Sequence, residues 1–157
     1  MCIFNYLGHH TKYIVDQIND FILSLVPSDH KEYLSSNSID MSNTIDNIPL
    51  EAITLEFLNI LKTYGIPNHN IKLKTCNPIM LLRNLDQYED LCNGTRLTVT
   101  RLVDHVIEAK IISRKNVGNL IYIPRMSLSL SQSPRPFKLI KRQIPLIVSY
   151  AMTINKS

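Results

Sequence analysis

A run of short segments between Ile71 and Ser127 constrains the fold of this chain more than any other feature. Polar and apolar residues alternate along these segments, as they do in a strand with one buried and one exposed face. In one of them, Leu97 and Val99 lie on one face, and Arg96, Thr98 and Thr100 lie on the other. Several such strands in so short a stretch predict a small barrel or a strongly bent meander.

The predicted strands are separated by residues that favour turns. In order, they are IMLLRNL, TRLTVTRLV, VIEAKII and LIYIP. Asn93-Gly94 lies between the first two and predicts a hairpin with a type I′ turn, which needs positive φ at both central residues. A plain structural sheet with no binding role is the alternative interpretation of the same pattern.

Charge is unevenly distributed along the chain. Residues 1–70 contain three Lys and eight Asp or Glu, and residues 71–157 contain fourteen Lys or Arg and five acidic residues, so the formal charges are −5 and +9. This asymmetry favours an anionic partner for the second half, with nucleic acid the first candidate. A solvated basic surface is the alternative.

Several classes of protein are not supported. No apolar run reaches the ~18 residues that a membrane span needs, and the opening MCIFNYLGHH lacks the basic region of a secretory signal. The three cysteines include no C-x-x-C pair, so they support neither a zinc site nor a disulfide framework.

The first half predicts two helices. The first runs from Thr11 to Val26 and ends at Pro27. Its apolar stripe comprises Ile14, Ile18, Phe21, Ile22 and Leu25, with Asp16, Gln17, Asn19 and Asp20 on the opposite face. The second covers Leu50–Thr63, with Ile53, Phe57, Ile60 and Leu61 facing inward.

The remaining segments are predicted to be less regular. Residues 28–49 form a loop with one short strand at Glu32–Leu34, and Ser127–Pro136 is a polar link. Lys138, Lys141 and Arg142 then form a basic cluster that either touches phosphate, is a weak nuclear-targeting match or has no role. The apolar run Ile144–Ile154 is predicted to lack neighbouring strands and to lower solubility.

The order of these segments resembles the C-terminal part of PIF-type (petite integration frequency) DNA helicases, particularly the copies carried by Helitron-like transposons. The matching pieces are GIPNHNIKLKT, PIMLLRNLDQ, LCNGTRLTVT, VIEAKII, IYIPRMSL and RQIPLIVSYAMTINKS, with VDQINDFILSL and EYLSSNSI upstream. The resemblance covers about residues 11–157 and is most specific at 78–101 and 145–157.

For the fold, the resemblance implies an α/β helicase fragment: a partial second RecA-like domain with an inserted small β-barrel of the Src-homology type. Residues 1–70 would be the N-terminal helical part of that domain, with 1–10 unmatched. Residues 71–127 would be the inserted barrel, and 128–157 the return to the RecA-like domain, truncated in the fifth helicase motif.

For the site, the resemblance implies contacts to the DNA backbone. The segment AMTINKS matches the opening of the fifth helicase motif, which places Thr153, Asn155, Lys156 and Ser157 near DNA. Hydroxyls and an ammonium at a turn can hold phosphates without reading bases. Arg96, Lys141 and Arg142 are the further candidate DNA contacts.

For activity, the resemblance implies ATP-dependent 5′-to-3′ unwinding of DNA, with ATP and magnesium as cofactors. Such activity serves genome maintenance (repair, recombination and telomere maintenance) or transposition. The sequence contains no G-x-x-x-x-G-K-[ST] phosphate-binding loop, and the acidic magnesium-holding motif and the arginine-bearing last motif are also missing. We therefore expect no cofactor in this fragment and no ATP hydrolysis by this chain alone.

Three functions stay open. The chain is a helicase fragment that retains DNA-contact elements, a non-catalytic single-stranded-DNA-binding module, or an inactive transposon relic. The expected partners are single-stranded DNA, through its backbone, and the remaining helicase domains, with no membrane. The expected location is nuclear, or mitochondrial as for the family, and not secreted.

Overall fold

A computed structural model describes residues 3–40, 53–63, 65–89, 91–113, 116–129 and 137–151 of the protein, with side chains from Tyr13 onward. The elements are α1 (Ile3–Leu25), β1 (Lys31–Leu34), β2 (Ser36–Asp40), α2 (Leu55–Ile60), β3 (Asn70–Leu73), β4 (Pro78–Leu81), β5 (Arg96–Leu102), β6 (Val106–Ile111), β7 (Leu120–Pro124), β8 (Met126–Ser129), β9 (Lys138–Gln143) and β10 (Leu146–Val148). Within these ranges, no helix is long and apolar enough to cross a bilayer.

The predicted strands of the central stretch are confirmed. Leu97 and Val99 of β5 are buried, and Arg96 and Thr100 are exposed, as the alternation predicts. The predicted type I′ turn is wrong, because Gly94 has a φ of +86° but Asn93 is not among the described residues with positive φ. The N–H of Thr95 donates to the carbonyl of Cys92 at 3.0 Å, so this is a type II-like turn.

The strands pair antiparallel in three sheets. A five-stranded sheet has the order β10-β4-β5-β6-β7, a three-stranded sheet has the order β2-β9-β8, and β1 pairs with β3. A single residue, Arg125, separates β7 from β8, and Ile144 and Pro145 separate β9 from β10. β7 therefore leads almost directly into β8, and β9 leads almost directly into β10. Strand pairing can be followed from β4 through β5 and β6 to β7, on from β8 to β9, and from β10 back to β4.

One apolar cluster packs between these strands. It combines Tyr33 from β1 and Leu73 from β3 with inward residues of β4 to β7 and with Ile144 and Leu146. The segment after Gln143 was predicted to lack neighbours, and this is wrong for its first residues, because β10 pairs with β4 and Leu146 is fully buried. A smaller cluster of Leu58, Phe137 and Leu139 joins α2 to the inner face of the three-stranded sheet.

Helix α1 differs from the prediction at its start and in its orientation. It begins at Ile3, before the predicted cap at Thr11, and ends at Leu25 as Pro27 predicts. Much of its apolar stripe faces solvent, with Ile14, Ile18, Phe21 and Leu25 between 42% and 65% exposed. Asn19, predicted on the polar face, is buried and bonded to the carbonyls of Val148 and Ala151 and to the N–H of Ala151.

Three further predictions are corrected by the structure. Helix α2 is only six residues long and begins at the Thr54 cap, whose hydroxyl accepts from the N–H of Phe57 at 3.2 Å. Phe57 and Ile60 are exposed and Leu58 is buried, so the predicted inward face is only partly right. Strand β2 lies in the predicted loop and β8 in the predicted link, since short serine-rich strands carry little of the apolar alternation that marks a strand.

Candidate nucleic-acid interface

The outer face of the three-stranded sheet is polar and open. Along β9, Leu139, Lys141 and Gln143 are buried, so Ile140 and Arg142 lie on the opposite, outer face. Register then sets the neighbours: Ser36 and Ser127 lie beside Arg142, and Ser38 and Ser129 lie beside Ile140. We call this surface the serine–arginine face; its residues are Ser36, Ser38, Ser127, Ser129, Ile140 and Arg142.

Arg142 is the charged centre of the serine–arginine face. Its side chain is exposed, and within the described part of the chain its guanidinium has no hydrogen-bond or ion-pair partner. A guanidinium presents five N–H donors in a planar fork that suits phosphate oxygens. The exposed serines on either side, Ser36 and Ser127, add small hydroxyl donors without blocking access to it.

Two other basic residues border this face but are already engaged. Lys138 forms a 3.0 Å ion pair with Asp40, its register partner on β2. Arg83 donates from one Nη to the carbonyl of Ser129 at 2.9 Å, which holds a second guanidinium at the end of β8. The positive charge available to an anion at the centre of the face therefore comes from Arg142.

Lys141 lies on the other side of the same strand. It is 1% exposed, and its ammonium donates to the carbonyl of Pro67 at 3.4 Å. This buried position does not fit the predicted surface contact to phosphate. Its charge acts inside the protein instead: burial lowers the pKa of His69, and the nearby Lys141 ammonium lowers it further.

A buried polar junction fixes β9 in place behind this face. The Gln143 side chain is fully buried, and its amide nitrogen donates to the carbonyls of Tyr33 at 2.7 Å and His69 at 2.9 Å. Its oxygen accepts from the N–H of Ile144 at 3.0 Å and from Arg125 at 3.3 Å. Through these bonds, Gln143 connects β1 and the segment before β3 to the β7–β8 and β9–β10 connections.

Hydrogen bonds continue from the junction to helix α2. The Ser35 hydroxyl lies 2.8 Å from both His69 Nδ1 and Asn37 Oδ1. Since a hydroxyl has one proton and Asn37 Oδ1 can only accept, His69 Nδ1 carries the hydrogen and donates to Ser35. Asn37 then donates to Asn59 of α2 at 2.6 Å, which joins the helix to β2.

Of the other predicted DNA contacts, only Arg96 is described, and it does not lie on this face. Arg96 is exposed, but it lies on β5 in the five-stranded sheet, where its N–H donates to the Ser113 hydroxyl at 3.0 Å. Thr153, Asn155, Lys156 and Ser157 lie outside the described residues. The serines of β2 and β8 were not predicted from the sequence, because SNSID and MSLS carry little apolar alternation.

The residues described do not fit the ATP and magnesium that the resemblance implies. A phosphate-binding loop needs glycines leading into a helix N-terminus, whereas Gly94 and Gly118 lie in turns between strands and α2 follows Thr54. Among the described residues, no three His, Cys, Asp or Glu side chains are grouped so that they could hold a metal ion.

The described residues form a β-rich module of antiparallel sheets. Residues 56–102 match the family model described as "DNA helicase Pif1, 2B domain". The predicted resemblance to Pif1-type helicases is thereby confirmed over these residues. A search of curated proteins finds no match.

Solved Pif1 helicases share the fold. A Candida albicans Pif1 helicase is 18% identical with a TM-score of 0.61, covering 90% of this chain and 34% of that one. A Bacteroides Pif1 bound to single-stranded DNA is 22% identical with a TM-score of 0.56, covering 87% and 28%. A structure of two coordinating Pif1 helicases at forked duplex DNA is 22% identical with a TM-score of 0.58, covering 90% and 27%. The chain thus spans about a third or less of these helicases.

Proposed function

We propose that this chain is a non-catalytic, DNA-contacting part of a Pif1-type helicase that holds the backbone of single-stranded DNA. The observation that carries this proposal is Arg142, exposed and without a partner within the described residues, between Ser36 and Ser127 in register. A guanidinium flanked by hydroxyls binds phosphate without selecting a base. A helicase that moves along a strand needs this kind of sequence-independent contact.

We also infer that the strands from β4 to β10 form a small barrel, which extends beyond residues 71–127, where the resemblance implies one. The support is the strand pairing, which can be followed from β4 to β7, on from β8 to β9, and from β10 back to β4. The inward residues of these strands share one apolar cluster with Tyr33 and Leu73. Such a closed arrangement would give the serine–arginine face a rigid base.

The exposed stripe of α1 supports a further domain as partner. Ile14, Ile18, Phe21 and Leu25 form a contiguous apolar surface, and patches of this kind mark interfaces. Because the solved relatives are far longer than this chain, we propose that the stripe packs against another domain of a helicase. Unwinding activity, ATP and magnesium would then belong to the assembled protein.

Fluorescence anisotropy with labelled oligothymidine, at low and moderate salt, tests the DNA proposal. We expect salt-dependent binding by the full chain, because phosphate contacts release counterions. Arg142→Ala should weaken binding and lower the salt slope by about 1, as removal of one phosphate contact predicts. A Ser36→Ala, Ser127→Ala double variant should weaken binding without changing the slope, because it removes hydroxyls and no charge.

Arg101→Ala is the matched control, since Arg101 is an exposed arginine of the five-stranded sheet. It should bind like the unchanged chain. Equal losses in both arginine variants would show a diffuse basic surface and would refute the role of Arg142. Absence of binding by a folded sample at low salt would leave only a helicase relic.

A further inference from the structure

The serine–arginine face is organised in rows that cross its three strands. The register of β2, β9 and β8 gives a first row of Ser36, Arg142 and Ser127 and a second row of Ser38, Ile140 and Ser129. Asp40 and Lys138 form a third row across β2 and β9. Neighbouring rows are two residues apart along β9, which corresponds to about 6.8 Å at the rise of an antiparallel strand.

A second guanidinium lies at the end of the second row. Arg83 follows β4, and one of its Nη atoms donates to the carbonyl of Ser129 at 2.9 Å. A guanidinium has five N–H donors, and within the described part of the chain this bond is the one that Arg83 makes. The bond holds the guanidinium beside Ser129 and leaves it further donors for an anion.

The third row carries no net charge. Lys138 Nζ lies 3.0 Å from Asp40 Oδ2, so the ammonium is compensated by a carboxylate, and a carboxylate repels an approaching phosphate. The first row has Arg142 and the second row has Arg83 at its end. Uncompensated positive charge therefore accompanies two consecutive rows and stops at the third.

We propose that the serine–arginine face holds two consecutive phosphates of one DNA strand running along β9, the second phosphate being bound by Arg83, Ser38 and Ser129. This proposal rests on the proposed function, which assigns one phosphate to Arg142. Ile140 lies between the two serines of the second row, and its half-buried side chain offers the sugar an apolar contact.

The row spacing selects a phosphodiester chain over smaller anions. A free phosphate fills one row, and the two phosphates of a pyrophosphate share an oxygen and lie too close together to reach both rows. Phosphates of a stacked strand advance ~3.4 Å along the axis, and an unstacked strand can extend toward the ~6.8 Å between rows. A path across the strands fits less well, because the first row has one guanidinium and supplies charge for one phosphate.

Short thymidine oligonucleotides test the number of phosphates held. TpT has one phosphate, TpTpT has two and TpTpTpT has three, and their affinities for the full chain can be measured by NMR titration at low salt. We expect TpTpT to bind about tenfold tighter than TpT, because a second charge-assisted contact is added. TpTpTpT should add only the statistical gain of a longer chain. TpTpT with one uncharged methylphosphonate linkage is the matched control and should bind like TpT.

Variants of the second row test which residues hold the second phosphate. Arg83→Ala should remove the advantage of TpTpT over TpT while TpT still binds at Arg142, and Arg83→Lys should restore most of that advantage. A purely structural role of the bond to Ser129 would weaken both ligands alike. Ser38→Ala should weaken TpTpT and spare TpT, and it keeps the test decisive if Arg83→Ala fails to fold, because Ser38 is exposed. Ser28→Ala is its control, since Ser28 is an exposed serine just after α1.

The outcomes separate this proposal from the proposed function. If TpTpT binds no tighter than TpT while Arg142→Ala weakens both, the face holds one phosphate, and the two-phosphate site is overturned while the proposed function stands. An equal gain with every added phosphate, unchanged in folded Arg83→Ala, would show a diffuse basic surface and would also overturn it. If neither arginine variant changes binding, the proposed function fails as well.

Discussion

Replacing Gln143 by leucine should destabilise the protein more than the same replacement of an exposed glutamine. Gln143 is fully buried and its amide holds the junction behind the serine–arginine face. Leucine has a similar volume, so the main change is the loss of hydrogen bonds. Gln143→Leu leaves the N–H of Ile144 buried without its acceptor, and it removes one donor each from the carbonyls of Tyr33 and His69.

The magnitude follows from these three groups. A buried donor left without a partner costs about 1–3 kcal/mol. The carbonyl of His69 keeps its bond from the N–H of Ser35, and Tyr33 lies opposite Ile71 in the β1–β3 ladder, so each carbonyl loses about 0.5–1.5 kcal/mol. The expected loss is roughly 2–6 kcal/mol, a large part of the ~5–15 kcal/mol that stabilises a domain.

Urea unfolding followed by far-ultraviolet circular dichroism measures this loss. The midpoint should fall while the slope with denaturant stays unchanged, because the folded state buries the same surface. Gln87→Leu is the control; Gln87 is exposed in a turn and its replacement should shift stability by less than about 0.5 kcal/mol. If Gln143→Leu unfolds at the same urea concentration as Gln87→Leu, the junction does not stabilise the fold and the reasoning is refuted.

Three further predictions concern α1, pH and the β4–β5 turn. Asn19→Ala should lower the free energy of unfolding by about 2–3 kcal/mol, because three hydrogen bonds to Val148 and Ala151 are lost. Replacing the exposed Asp20 by alanine should change the urea midpoint little. The pKa of His69 is lowered in the fold by burial and by Lys141. The stability that this shift contributes is therefore fully present above the unfolded pKa of about 6.5 and falls as the pH drops below it. Thermal melts should show this pH dependence, and His69→Gln should reduce it. Gly94→Ala should destabilise by about 1 kcal/mol in the urea assay despite open space around a new Cβ, because its φ is +86°.

The strand interiors were predictable because alternation is a local property. Leu97 and Val99 are buried and Arg96 is exposed as the pattern indicates, since one apolar core lies on one side of the strand. The same rule applied to β9 groups Lys141 with Leu139 and Gln143, and would have removed Lys141 from the candidate DNA contacts. A lysine tolerates this position because its ammonium reaches the carbonyl of Pro67.

Helix α1 shows where periodicity stops being informative. The spacing correctly places Ile14, Ile18, Phe21 and Leu25 on one stripe, but it cannot say whether anything covers that stripe. In this chain the stripe is largely exposed. Asn19 faces inward because its amide bonds the backbone of Val148 and Ala151, partners that lie more than a hundred residues along the chain.

The sequence alone determined the strands of the central stretch, the end of α1 before Pro27, the basic second half and the resemblance to Pif1-type helicases, which a family model confirms. These features depend on neighbouring residues or on motif order. Only the tertiary structure decided that β2, β8 and β9 bring Ser36, Ser127 and Arg142 together. The physical reason is that register is set between strands distant in sequence, by the core that they jointly bury.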